Sequence, residues 1–477
     1  MGLPQEGLIL MGETSRLIKN TGIIAVGGMA TKLVSFLLLP LYTSVLSTGD
    51  YGTVDYINTI ALFCVPAVSL LMDEALFRFL IDCHADGDRS KAVTTSCAVL
   101  LAGCVCFAVL AILVWLLFKP ENLVWVVGLV VAGALLQMAS AVLRGFGDTV
   151  GYSVMNFTAS ALTIVLNVLF IAVLRWGVVG MLSATVIAQG GVALVFMVMR
   201  KLWRYIDPSA FSASYALDLL RYSIPLIPNK VSWTINNLLD RLIIMNTLGA
   251  SAAGVYAVSY KFPGVMDQVY GFFYQSWKES SARALNSDED ESKFYNSVYR
   301  ALRRFMMSVV LLMSALMPLV YGILIKGSFG EGLLYVPILL LATYFSNISG
   351  FYGGIFTAHK DTGIMGTTTA VSAALCAVLC VLLIPHFGLY GASVATLLAM
   401  VVVNEYRRIK VAKFTKLVED RVEQVLSLFS IVGVFVFYYL SVCGGSILSA
   451  IACLAIALAF SVYMNADILR KLISARK

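Results

Sequence analysis

AVTTSCAVLLAGCVCFAVLAILVWLLF, residues 92–118, runs for 27 residues without one Asp, Glu, Lys or Arg. At 1.5 Å per residue a helix of that length spans roughly 40 Å, more than the ~30 Å hydrocarbon core of a bilayer. Its apolar character is continuous, whereas barrel strands alternate over about ten residues, so the segment reads as a membrane-crossing helix. Backbone polar groups in lipid must be satisfied internally, which leaves helix as the only conformation this run can hold there.

The rest of the chain repeats that pattern. Of 477 residues 60% are hydrophobic and 13% charged, and the mean hydropathy is +0.87. Ordinary soluble chains carry about 25% charged residues, so disordered, fibrous and disulfide-scaffold classes are excluded together. The reading is all-α, a polytopic membrane protein with about 14 transmembrane helices. They fall at 22–45, 54–80, 92–118, 121–143, 152–174, 178–199, 219–248, 253–277, 301–325, 332–358, 363–385, 389–406, 425–442 and 446–464. With both termini cytoplasmic, 25 of the 34 Lys and Arg residues fall in inside segments, while outside loops hold only Lys119, Arg175 and Lys326. That asymmetry supports an even number of spans and this orientation. The net charge of +7 then belongs to cytoplasmic loops facing anionic headgroups and calls for no nucleic acid.

The first 20 residues lack the apolar core of a cleavable leader, so the first span is expected to act as its own insertion signal; Met11 offers an alternative start. The nine cysteines lie mostly within spans and read as apolar filler, and the three histidines are scattered, so no metal site is legible. Nucleotide-binding and hydrolase motifs are absent, and neither a catalytic residue nor a cofactor is expected.

An internal repeat organises the chain. Leu46 and Gly52 recur as Leu248 and Gly254; GDT (147–149) recurs as KDT (360–362); RWGVVGMLSAT (175–185) recurs as HFGLYGASVAT (386–396), placing Gly177 and Gly180 on Gly388 and Gly391. An even number of spans separates equivalent points. The halves are therefore expected as six-helix lobes related by a pseudo-two-fold along the membrane normal, flanking a cavity, with two extra C-terminal helices. The corresponding divisions are 1–200, a cytoplasmic linker 201–218, 219–410, and 411–477.

Six cations remain inside spans: Lys32, Arg78, Arg221, Lys230, Arg241 and Lys261. A charge at the centre of a span costs about 2.5–3.5 kcal/mol on insertion scales, so it faces a cavity or a partner. Arg78 follows Glu74 by four residues and is expected to pair with it; Arg221 sits near a span end and can reach headgroups. Lys230, Thr234, Asn237 and Arg241 fall on one helical face, with Asp240 beside them. Pro225 and Pro228 are expected to bend that helix early. The next span carries Tyr256, Ser259, Tyr260, Asp267 and Tyr270 on one side. Lys32, Lys230, Arg241 and Lys261 outnumber Asp240 and Asp267 at mid-span, which favours an anionic cargo of phosphate type over a cation.

LLRYSIPLIPNKVSWTINNLLDRLIIMNTLGASAAGVYAVSYKF (219–262) and ATKLVSFLLLPLYTSVLSTGDYGTVDY (30–56) resemble the signatures of the polysaccharide-transporter branch of the multidrug/oligosaccharidyl-lipid/polysaccharide exporter superfamily. The resemblance implies a flippase in the bacterial inner membrane. It would carry undecaprenyl-pyrophosphate-linked oligosaccharide repeat units, of O-antigen, capsule or exopolysaccharide type, outward by alternating access. On that reading Lys32, Lys230 and Arg241 bind the pyrophosphate, Asn237, Tyr256 and Tyr260 contact sugar, and Asp240 or Asp267 handles a coupling ion. The expected partners are the lipid-linked oligosaccharide and membrane lipid, with a glycan polymerase and a chain-length regulator downstream. A lipid II or teichoic-acid precursor flippase, a cation-coupled drug exporter and a membrane glycan polymerase are the alternatives. The last two are the less favoured: a polymerase usually needs a large outside loop, and the outside loops here are short.

Overall fold

The computed structural model describes residues 36, 38–83, 85–285, 291–361 and 363–466; the side chains of 228, 229, 232, 233, 235–237, 279 and 283 lie outside that description. The described residues form helices and no strand, and ten of those helices are long and apolar enough to cross a membrane. Contacts divide the chain into two units, one comprising residues up to Leu46 with Thr53–Thr234, the other Ser47–Gly52 with Ile235 onward.

In chain order the helices drawn on by the first unit are α1 Leu39–Val45, α2 Thr48–Ser69, α3 Met72–Asp82, α4 Asp86–Phe118, α5 Leu123–Gly145, α6 Thr149–Asn167, α7 Gly177–Met199 and α8 Ala213–Ser223. Most of the first expected span, 22–45, lies outside the described residues. The span expected at 54–80 is broken instead of continuous: Leu70 and Leu71 adopt left-handed backbone (φ 50° and 52°), and the helix restarts at Met72. That restart corrects the pairing of Arg78, which bonds Asp82 at 2.8 Å and not Glu74. Glu74 now sits in a first turn, where the helix dipole already favours a carboxylate, while Asp82 in the last turn needs a cation.

Small residues let this unit pack in lipid, where close backbone approach replaces the hydrophobic drive. Ala132, Ala134, Ala139 and Ala141 of α5 are buried, as are Ala184, Ala188 and Ala193 of α7; a Cβ on Gly190 would meet that of Ala132 at 3.5 Å. The outer helix α4 turns Leu117 and Phe118 outward, each about three-quarters exposed, as a lipid-facing surface should. Residues expected as a linker are docked: Ser90 and Thr94 donate to the Tyr205 carbonyl, and Thr94 accepts from the Asp207 N–H at 2.9 Å.

The second unit contains most of α9 Ile227–Leu248, then α10 Ala250–Ser259, α11 Lys261–Ala284, α12 Glu291–Leu324, α13 Val336–Ala358, α14 Gly363–Val411, α15 Arg421–Gly444 and α16 Ile447–Met464. The bend expected at the prolines is a 3₁₀ turn, Ile224–Leu226, between α8 and α9. An aromatic stack ties α11 to α13: Trp277 lies 4.3 Å from Phe351 and donates its indole N–H to the Phe351 carbonyl, and a Cβ on Gly354 would collide with that indole. Residues 47–52 belong to this unit, where Gly52 and Gly254 cross without side chains between them. A Cβ on Gly52 would stand 1.9 Å from the Ala250 carbonyl oxygen, and one on Gly254 1.9 Å from that of Thr48.

The two spans expected at 363–385 and 389–406 form one 49-residue element, α14, reversed at Gly388, whose φ of 58° and ψ of −136° suit glycine alone. Gly177, its repeat counterpart, has φ 57°. Gly147 and Lys360, matched through GDT and KDT, are likewise both left-handed, at 77° and 59°. The repeat is thus written in the backbone turns. The second arm of α14 runs on to Val411, so Arg407, Arg408 and Lys410 belong to the helix and not to the loop expected after residue 406.

The entry to α15 is clasped to α12 and to the end of α14. Glu419 accepts from Tyr299 at 2.5 Å and pairs with Arg303 at 3.3 Å and Arg408 at 3.7 Å, while Arg304 pairs with Glu423. Burial pushes the Glu419 carboxyl up, but the Tyr299 hydroxyl, Arg303 and Arg408 together outweigh it and hold the group below the ordinary carboxylate value.

Candidate functional site

Helix α9 carries Lys230, Thr234, Asn237, Asp240 and Arg241, all marked by the sequence. Lys230 is exposed, and Thr234 folds its hydroxyl back onto the Lys230 carbonyl at 2.9 Å, so that hydroxyl is spent within the helix. Lys230 lies within electrostatic reach of Asp73 of α3, in the first unit. Asp240 and Arg241 belong to the second unit. The side chain of Asn237, and Lys32 altogether, lie outside the described residues.

Asp240 is 5% exposed. Its Oδ1 accepts from the Arg241 backbone N–H at 2.8 Å, and its Oδ2 accepts from the Tyr256 hydroxyl at 2.7 Å. Tyr256 is fully buried, with Thr396 beside its hydroxyl. In this conformation a single polar atom, needed by a buried carboxylate, sets where Tyr256 points. The Arg241 guanidinium stands 5.2 Å over the ring of Tyr260, which in turn lies 5.9 Å from that of Tyr256. Asp267, exposed on α11, is within electrostatic reach of Tyr260. The structure therefore gathers Asp240, Arg241, Tyr256, Tyr260 and Asp267 in one neighbourhood, built on α9, α10 and α11. Lys261 is exposed at the start of α11.

The arrangement is suited to binding and to holding charge. Among the described residues no group of three His, Cys, Asp or Glu side chains could hold a metal ion. The planar fork of an Arg guanidinium matches phosphate oxygens pairwise.

Residues 17–277, more than half of the chain, match the family model described as "Polysaccharide biosynthesis protein". The chain belongs to that family. The matched stretch includes Lys32, Lys230, Arg241, Tyr256, Tyr260 and Asp267. A comparison with curated proteins finds no significant match.

Solved structures agree on the fold. This polysaccharide biosynthesis protein is similar to the lipid II flippase MurJ in an inward closed conformation, at 13% identity, covering 94% of this chain and 99% of that one with a TM-score of 0.65. It is also similar to an inward-facing multidrug resistance MATE family transporter of the MOP superfamily, at 15% identity, 82% and 98% coverage and a TM-score of 0.63. A mutant of the Vibrio cholerae MATE transporter VcmN gives 16% identity, 84% and 96% coverage and a TM-score of 0.54. The family protein is thus a multi-pass membrane protein with the helical fold of these transporters.

Sequence reasoning missed one polar centre in the family protein. Arg407, counted with the cytoplasmic loops, is 8% exposed, and its guanidinium is held by Thr368, Thr369 and the Ser349 carbonyl. Asn404, three residues before Arg407, and the pair Thr368 and Ser372, four residues apart, were the available signal.

Proposed function

We propose that this polysaccharide biosynthesis protein is a flippase that moves undecaprenyl-pyrophosphate-linked oligosaccharide repeat units across the bacterial inner membrane. The observation that carries the reading is the family match over 17–277, a stretch in which mid-span cations exceed carboxylates. Moving sugars through hydrocarbon costs several kcal/mol for each unsatisfied polar group, so a hydrated, cationic route is what such a cargo requires. Lys230 and Arg241, with Lys32, are the pyrophosphate ligands of this proposal. Tyr260 and Asn237 are its sugar contacts, and Asp240, seated on Tyr256, is its titrating or ion-coupling group, with Asp267 the other carboxylate available. A glycan polymerase and a chain-length regulator would act on the delivered units.

The test is a deletion strain complemented with Lys230→Ala and Arg241→Ala. Each variant is expected to abolish surface glycan at unchanged protein level, with lipid-linked units accumulating on the inner face. Normal export in both refutes the assignment. The likeness to a lipid II flippase over nearly the whole chain favours one second reading, in which the cargo is lipid II; arrest of peptidoglycan growth on deletion would decide for it.

A further inference from the structure

Arg407 sits in the second unit without a carboxylate: among the described residues none lies within ion-pair distance of it. Its Nε donates to Thr368 Oγ1 at 2.8 Å, its Nη1 to the Ser349 carbonyl at 3.2 Å and its Nη2 to Thr369 Oγ1 at 3.2 Å. All three acceptors are neutral. A guanidinium has five N–H groups, so one on each terminal nitrogen remains. A full charge removed from water and met only by neutral oxygens is incomplete electrostatically, because buried charges are normally paired.

The surroundings supply further polar groups of the same kind. Tyr270 of α11 is 8% exposed, and its hydroxyl is buried without a hydrogen-bond partner. That hydroxyl packs against Gly350, where a Cβ would stand 2.5 Å from it, next to the Ser349 whose carbonyl Arg407 holds. Tyr270 and Tyr274 are both within electrostatic reach of the guanidinium, and their rings stack at 5.8 Å. The Ser349 hydroxyl is also buried and unpartnered. One turn further along α11 the exposed Lys278 lies 5.2 Å over the Tyr274 ring. A cation at the surface and two stacked phenols thus follow one another along α11, and the phenols lie within electrostatic reach of the buried cation of α14.

We infer that Arg407, with the Tyr270 hydroxyl, forms a binding site for a phosphate-type oxyanion, approached past Lys278 and Tyr274. The two remaining guanidinium N–H groups donate to a pair of phosphate oxygens side by side, and the phenol donates to a third. The oxyanion is either free in solution or the pyrophosphate head of a prenyl lipid. The site does not rest on the roles proposed for Lys230 and Arg241, which lie outside it.

The test uses the purified full-length chain in detergent and reads binding by ligand-induced thermal stabilisation and by calorimetric titration. The probes are inorganic pyrophosphate and farnesyl pyrophosphate. Each is applied to the wild-type sequence and to a Lys230→Gln/Arg241→Gln background that removes the other proposed anion ligands. In that background at least one probe is expected to bind, and Tyr270→Phe is expected to weaken it about tenfold while leaving the ligand-free melting temperature unchanged, since the lost hydroxyl has no partner. Arg407→Lys, which keeps the charge but loses the fork, should weaken binding further. Binding of inorganic pyrophosphate identifies a free oxyanion as the source; binding of the prenyl form alone identifies a lipid headgroup. Loss of all binding in the background, or equal binding by Tyr270→Phe and Arg407→Lys, overturns the site. If the background binds but Lys230→Ala and Arg241→Ala export glycan normally, the Arg407 site stands and the proposed cargo contacts fall.

Discussion

The crossing of Gly52 and Gly254 makes a quantitative prediction that ordinary additivity would not. A methyl at either position would stand 1.9 Å from a backbone carbonyl oxygen, whereas close C–H to oxygen contacts have carbon–oxygen distances of at least about 3.3 Å, so the two segments must part by roughly 1.4 Å. Backbone cannot swing aside as a side chain can, so the cost lies near the upper end of overpacking, about 3 kcal/mol. Alanine returns about 1 kcal/mol because both positions are helical. Each single variant, Gly52→Ala or Gly254→Ala, is therefore expected to lose about 2 kcal/mol. The separation that admits one methyl also admits the other, because both clashes lie at a single crossing. The double variant then bears one separation and gains alanine propensity twice, for a net loss of about 1 kcal/mol, with a coupling of roughly 3 kcal/mol between the sites. Thermal unfolding of the purified full chain in detergent, followed by tryptophan fluorescence, provides the comparison. The double variant should melt no lower than either single one. Additive losses, or singles that melt like the unaltered chain, would refute the backbone crossing.

Two further outcomes follow from polar groups that hold partners. Glu419→Gln removes the charge that Tyr299, Arg303 and Arg408 converge on. The carboxyl is held below its ordinary value, so its charge contributes stability above the unfolded carboxylate pKa, and that contribution fades as pH falls through the lower folded value. The variant should melt lower at pH 7 and show a shallower decline on acidification; parallel pH profiles would contradict the clasp. Tyr256→Phe leaves the ring buried but removes the donor to Asp240, at an expected cost of about 1–3 kcal/mol, read as a lower melting temperature, and an unchanged value would mean that the bond contributes nothing.

The apolar periodicity of the chain carried the helices well, because lipid imposes one requirement on every span and the sequence answers it repeatedly. Repeat matching reached further. Gly177 and Gly388, paired by sequence offset, share a positive φ that favours glycine strongly enough for the residue to be kept in both halves; Gly147 and Lys360 share a positive φ too, although there the glycine is not kept. What sequence could not give was which polar residues face one another. The stripe on α9 was phased correctly as a helix, yet phase alone does not say that Tyr256 is enclosed and spends its hydroxyl on Asp240. The break at Leu70 and Leu71 carries no glycine or proline at the site and so left no local signal. Arg407 was hidden by a boundary: ending the span at residue 406 put a buried guanidinium one residue into an expected loop.

The reversal at Gly388 bears on how the protein is made. The arms of α14 meet through Thr368 and Thr369 on one side of the turn and Arg407 on the other, nearly equidistant from it in sequence. When the ribosome reaches Arg407, the threonines that will receive its N–H groups have already been synthesised, and almost no loop must be closed to bring them together. The arginine can enter the bilayer as half of a paired hairpin, not as a lone charge on a solitary helix. Lengthening the chain around residue 388 should therefore burden biogenesis first, by delaying the moment at which the nascent arm finds its partner.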